Sequence, residues 1–201
     1  MMRSTLRYRG LLLIVAFAPA AWAAEPAKPP SPWPLPGGQG KAAPYRILNL
    51  VPDFLAYHDQ AKDRNEAGRV YRWNTLLEAK QPAFFSDALY RRKEGAERER
   101  FKATLIRQFW TEVAPKIETV RALNAVIETR LRDVVARFRE VFPDFRADTD
   151  YYITISFSFR GKALTVGGKE VLAIGLEKFD ADDPQIPITL AHELFHLYHF
   201  Q

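Results

Sequence analysis

Four histidines occur in 201 residues, and three of them fall within Ala191-His192-Glu193-Leu194-Phe195-His196-Leu197-Tyr198-His199. His192, Glu193 and His196 form the spacing H-E-x-x-H. On a helix, positions i and i+4 share a face, so the two imidazoles converge on one ion, which motif precedent makes zinc. Glu193 lies about 100° round the axis from His192. That angle suits a carboxylate that reaches a water on the metal better than one that joins the ligands. The chemistry implied is amide hydrolysis, with zinc lowering the pKa of its water to about 7 and Glu193 as the general base. The competing reading is a satisfied core histidine pair, hydrogen-bonded to backbone or carboxylate.

His199 extends the pattern to H-E-x-x-H-x-x-H, but helix geometry argues against a three-histidine site. Seven residues of helix rise about 10.5 Å, whereas two nitrogens bound at about 2.1 Å to one zinc are separated by little more than 4 Å. Zinc sites that take a third histidine from just downstream break the helix at a glycine, and no glycine follows His196. His199 is therefore expected behind the ligands or on the surface. His58, beside Tyr57 and remote in sequence, reads as a helix-surface or partly buried residue.

The elements that must position this motif can be read from periodicity. Ile188, Leu190, Ala191, Leu194, Phe195, Leu197 and Tyr198 predict a metal helix buried on most sides. Before it come strand-like runs at Tyr151 to Phe159, Lys162 to Val166 and Val171 to Leu176, with Gly167-Gly168 as a turn. Ile153, Ile155, Phe157 and Phe159 alternate with Thr154, Ser156 and Ser158, as in a strand with one buried face. The stretch from Tyr45 to Phe142 reads as helical. Two long helices are expected around Phe101 to Val113 and Ile117 to Val141, with Pro115 in the first turn of the second and Pro143 stopping it. Shorter ones are expected at Asp53 to Lys62, Arg69 to Ala79 and Ala83 to Arg92. Among these helices Phe54, Tyr57, Tyr71, Trp73, Phe84, Phe85 and Trp110 are expected in the core, with a substrate cleft as the alternative. The predicted class is α+β, with amino-terminal helices, a small mainly antiparallel sheet and then the H-E-x-x-H helix.

An apolar helix with His-Glu-Leu-Phe-His at its centre, preceded by strands, resembles the gluzincin branch of the zincin metallopeptidases, in particular bacterial zinc-dependent proteases. The resemblance covers roughly residues 151 to 201 at motif level. It implies Zn2+ as cofactor, His192 and His196 as ligands, Glu193 as the base, and a glutamate on a later helix as third ligand. Because the sequence stops five residues after His196, the expectation is an amino-terminal portion of such an enzyme, ending at its active-site helix. The nearest upstream carboxylates are Glu170, Glu177, Asp180, Asp182 and Asp183, and the resemblance gives none of them a ligand role. It also implies that the strand nearest the metal helix is an exposed edge that receives extended substrate by strand addition. Val171 to Leu176, with Val171, Ala173 and Gly175 on it, is the candidate, although its continuous apolar composition equally suits a core strand.

The front of the chain sets the compartment. Arg3, Arg7 and Arg9 precede the apolar run Leu11 to Ala18, and Ala21-Trp22-Ala23 offers a cleavage site, so residues 1–23 read as a secretory signal peptide. The apolar run is short for a span of about 20 residues, which disfavours a retained membrane anchor. Residues 24–44 hold seven of the fourteen prolines and read as a disordered linker, leaving residues 45–201 as one domain. Cysteine is absent, which excludes a disulfide framework and a thiol nucleophile. The net charge of +5 falls to +2 without the three leader arginines, too little to argue for nucleic-acid binding. The charged run from Arg91 to Arg100 mixes signs and reads as a solvated helix face. An exported, periplasmic or secreted zinc peptidase acting on peptide or protein substrates is the leading expectation. The alternative is a non-enzymatic envelope protein that binds peptides or acts as a chaperone, with a structural or vestigial H-E-x-x-H.

Overall fold

The computed structural model describes residues 45–146 and 148–199. The leader and the proline-rich segment lie outside the described residues. Within them, no helix is long and apolar enough to cross a membrane.

The chain runs from a short strand β1 (Ile47–Asn49) directly into helix α1 (Val51–Ala61). The Asn49 side chain accepts the Val51 N–H at 3.1 Å, and Pro52 sits in the first turn, where no N–H is needed. Helix α2 (Glu66–Trp73) is capped by Asn65, whose Oδ1 accepts the Gly68 N–H at 3.0 Å. Next come α3 (Pro82–Phe84), α4 (Gly95–Gln108), α5 (Ile117–Asn124) and α6 (Ile127–Val141). Each of α2, α3 and α4 widens at its end into a π-helical turn, at Asn74–Glu78, Phe85–Leu89 and Phe109–Val113. The long helix expected from Ile117 to Val141 is broken at Ala125 and Val126, because Val126 leaves the helical region (φ −122°). The apolar repeat runs through that break unchanged, which is why periodicity does not register it.

These helices bury a cluster of rings. Phe54 lies 5.9 Å from Trp73, 6.2 Å from both Phe85 and Phe109, and 6.3 Å from Phe157, centroid to centroid. The Trp73 indole N–H donates to the Tyr90 hydroxyl at 2.8 Å, and that hydroxyl donates to Glu78. Ion pairs from Arg98 and Lys102 reach the same carboxylate and hold Glu78 below its usual range against the cost of its burial. Phe54, Tyr57, Trp73, Phe84 and Phe85 are thus core residues, while Tyr71 is 62% exposed.

The sheet combines β1 with β2 (Asp150–Thr154), β3 (Gly161–Val166) and β4 (Lys169–Gly175) in the order β1-β2-β4-β3. The protein is a mixed α and β fold with a small four-stranded sheet, but that sheet is not mainly antiparallel. β1 with β2 and β2 with β4 are parallel, and only the β3–β4 hairpin is antiparallel. Two facts escape local patterning: the three-residue strand β1, and a chain that passes from β2 to the outside of the sheet before returning through β4. The expected strand from Tyr151 to Phe159 stops at Thr154. Beyond it Phe157 adopts a left-handed backbone (φ 65°) that delivers its ring into the aromatic cluster. β4 fills the interior of the sheet and is buried from Val171 to Gly175.

Both faces of the sheet carry helices. Tyr152 stacks on Phe84 of α3 at 4.6 Å on one face. Gly161 points at the last helix, α7 (Ile186–His199), on the other. Gly161 pairs with Ile174, which pairs with Ile153, so these residues share the α7 face.

At the end of β4 an added Cβ on Gly175 would lie 2.2 Å from both the Phe159 carbonyl oxygen and the Ser156 Oγ. Because a backbone carbonyl stands in the way, Gly175→Ala should destabilise the domain by about 2–4 kcal/mol. Urea unfolding measures this, and a loss below about 0.5 kcal/mol would contradict the described packing.

Candidate metal and catalytic site

Helix α7 is set in place by its apolar side. The Asp183 carboxylate accepts the Gln185 N–H at 2.8 Å just ahead of the first turn. Ile186, Leu190, Leu194 and Leu197 are buried. At the far end the Tyr198 hydroxyl donates to the Asp144 carboxylate (3.0 and 3.1 Å), and its ring lies 4.9 Å from Phe142 and 6.3 Å from Phe138 and Phe145. The helix is not buried on most sides. Ile188 and Phe195, expected inside, are 57% and 41% exposed. The stripe at 186, 190, 194 and 197 forms the buried face, flanked by Tyr198, and the opposite side is left outward.

The histidine pair stands on that outward side. The Nε2 atoms of His192 and His196 lie 3.0 Å apart, with ring planes at 86°. Two nitrogens bound at about 2.1 Å to one tetrahedral ion are roughly 3.4 Å apart, so the pair needs to open only slightly to share one. The same separation suits an N–H···N hydrogen bond between the two rings. The donor set fits two positions of a zinc shell. Among the described residues no cluster of three or more His, Cys, Asp or Glu side chains is arranged to hold one ion.

Glu193 turns to the sheet. A Cβ added to Gly161 would lie 2.5 Å from the Glu193 Cγ and 3.2 Å from its Oε1, so the glutamate occupies the notch that the missing side chain leaves at the start of β3. The strand beside α7 is therefore β3, at the edge of the sheet. Val171, Ala173 and Gly175 are not edge positions: β4 is paired on both sides, by β2 and β3. The continuous apolar character of that segment reflects an interior strand, buried on both faces.

Other candidates separate from the pair. His199 is exposed, and its ring meets Phe195 edge-on at 4.5 Å. His58 stacks on Trp110 and lies 3.0 Å from Asp59. Of the upstream carboxylates, Asp183 precedes α7 as described, and Glu170 lines a cavity of about 680 Å³ with Arg46, Asp148, Thr149, Asp150, Lys169 and Leu197. Asp180 and Asp182 line a second of about 470 Å³ with Arg160. Neither cavity is lined by His192, Glu193 or His196.

Glu177 has a different environment, one that sequence reading does not distinguish from its acidic neighbours. It is buried in the turn after β4. One carboxylate oxygen accepts the Phe157 N–H at 2.8 Å and lies 3.0 Å from the Ser156 hydroxyl, and the other accepts the Ser156 N–H at 3.1 Å. Burial pushes its carboxyl up from the usual range, and the donors from Ser156 act against that.

Scans of protein-family models, curated proteins and solved structures find no match to this chain.

His196→Ala leaves His192 without the imidazole one turn away, and His199 is too far along the helix to replace it, so any zinc taken up by the native chain should be lost. Elemental analysis of both proteins after exposure to equimolar zinc tests this, and equal zinc in the two would remove the pair as a site.

Proposed function

We propose that this chain carries the catalytic helix of a zinc-dependent peptidase that hydrolyses peptide bonds, with His192 and His196 as metal ligands and Glu193 as general base. The observation that carries the reading is the division of labour on α7. Two imidazole nitrogens 3.0 Å apart face outward, while the intervening carboxylate lies against the first residue of an open edge strand. A zinc ion on the pair would supply the electrophile that polarises a peptide carbonyl and acidifies a water. Glu193 takes the proton of the attacking water on a carboxylate oxygen and passes it to the departing amine nitrogen. β3 supports substrate binding by strand addition, because its outer backbone groups are unpaired within the sheet and its first residue adjoins Glu193. The amino-terminal leader pattern supports action in the cell envelope.

The second reading, a peptide-binding envelope protein without catalysis, is favoured by one observation: two ligands and no third cluster member among the described residues. It shares the edge strand with the first and differs in what Glu193 does.

Glu193→Gln removes the base and keeps both imidazoles, so hydrolysis should fall by at least about a hundredfold with zinc content unchanged. Cleavage of a quenched-fluorescent peptide library, read with zinc analysis, decides this, and undiminished hydrolysis in the variant would end the assignment. Gly161→Ala should also lower turnover, by on the order of tenfold or more, because its Cβ displaces the Glu193 side chain. Its melting temperature should fall less than that of Gly175→Ala, since a side chain can swing aside and a backbone carbonyl cannot.

A further inference from the structure

The segment from Ile155 to Arg160 leads from the interior strand β2 to Gly161, the residue that cradles Glu193. Its path is held at several points. The Phe157 ring is buried among Phe54 and Trp73, its backbone is left-handed, and its carbonyl accepts the Gln108 side-chain N–H at 3.2 Å. The Ser156 Oγ accepts the Phe159 N–H at 3.1 Å and also contacts the Phe159 carbonyl. The Arg160 carbonyl accepts the Gly175 N–H at 2.8 Å. At the centre is the Glu177 carboxylate, the acceptor for both successive N–H groups, of Ser156 and Phe157. Buried N–H groups need acceptors, and nothing else described here accepts these two.

We infer that Glu177 is a positioning residue for the candidate base: it fixes the Ser156–Arg160 turn, which fixes Gly161, which fixes the notch where the Glu193 side chain rests. The inference rests on the peptidase reading for its kinetic consequence, but its structural content is independent of turnover. Glu177 is buried beneath the turn, with Ser156 and Phe157 as its hydrogen-bond partners. Each of its two oxygens faces a backbone N–H, so no orientation of a glutamine at this position satisfies both. One N–H must confront an amide NH2 group and move away, and the turn with its strained Phe157 moves with it. The imidazoles are held through α7 itself and should not respond. Loss of Glu177 is thereby predicted to separate the two halves of the motif, keeping the ligands and misplacing the base.

The test uses the full chain with 13C-labelled glutamate carboxyls, and the Glu193 signal is assigned by its disappearance in Glu193→Gln. In Glu177→Gln the Glu193 carboxyl signal should shift, zinc content should be unchanged, and kcat should fall on the order of tenfold to a hundredfold with KM within about twofold. Glu78→Gln serves as control, since it breaks a half-buried carboxylate network in the helical layer that reaches the turn only through the packing of the Trp73 ring on Phe157 and donates nothing to its backbone. It should lower the melting temperature and leave the Glu193 signal unmoved. If Glu177→Gln does not fold, Ser156→Ala keeps both backbone donors, removes the hydroxyl that braces the turn, and should give the same direction at smaller size. An unmoved Glu193 signal in the folded variant overturns the inference, as does an equal shift in Glu78→Gln. Failure of the native chain to cleave any peptide would overturn the peptidase reading instead, with the carboxyl signal still deciding the role of Glu177.

Discussion

Phe157 pins the two halves of this fold to each other. Its ring completes the aromatic cluster built by α1, α2, α3 and α4, and it reaches that cluster only because its backbone accepts a left-handed conformation. A β-to-left-handed switch at this position costs on the order of 1 kcal/mol or more for a bulky residue. Burial of the ring, worth about 2–3 kcal/mol, offsets it. The same switch, three residues past the end of β2, lies in the turn that carries the chain outward, and the next strand forms at the rim of the sheet and runs antiparallel to the one that follows. The helical layer therefore determines where the edge strand begins, and the edge strand determines where Glu193 can lie.

Much of the local structure was readable. The helical stretch with its proline and asparagine boundaries, the Gly167-Gly168 hairpin and a metal-motif helix all follow from periodicity and turn chemistry, and the helices and hairpin appear close to the expected positions. Nonlocal features were less legible. The alternation from Ile153 to Phe159 has the right period for a strand, yet two of its apolar residues serve different layers, and Phe157 follows its ring rather than its pattern. Strand order was hidden for a related reason. Nothing in Val171 to Gly175 records that β3 folds back on its outer side, and three residues at Ile47–Asn49 are too few to stand out from a helical region.

At the site, the spacing of His192 and His196 was enough to bring two nitrogens within 3.0 Å, because helix geometry alone sets that relationship. The direction in which they face was not. Leu190, Leu194 and Leu197 outweigh Ile188 and Phe195 in the competition for the buried face, and a helix with apolar residues on several sides gives no indication beforehand of which stripe will win. Glu177 illustrates the opposite limit. Its burial depends on two N–H groups twenty residues away becoming donors without acceptors, a condition that exists only once the turn has formed.

The rim position of β3 places a second demand on the protein. A strand with unpaired backbone groups is a template for any other extended chain, including the same strand of another copy. β3 is short, its first residue is a glycine, and Lys162 and Thr165 are solvent-exposed along it. A charged lysine on the rim repels its own twin wherever two such edges pair with the lysines opposed. Charge at one position of a six-residue strand thus works against the self-pairing that its open backbone invites.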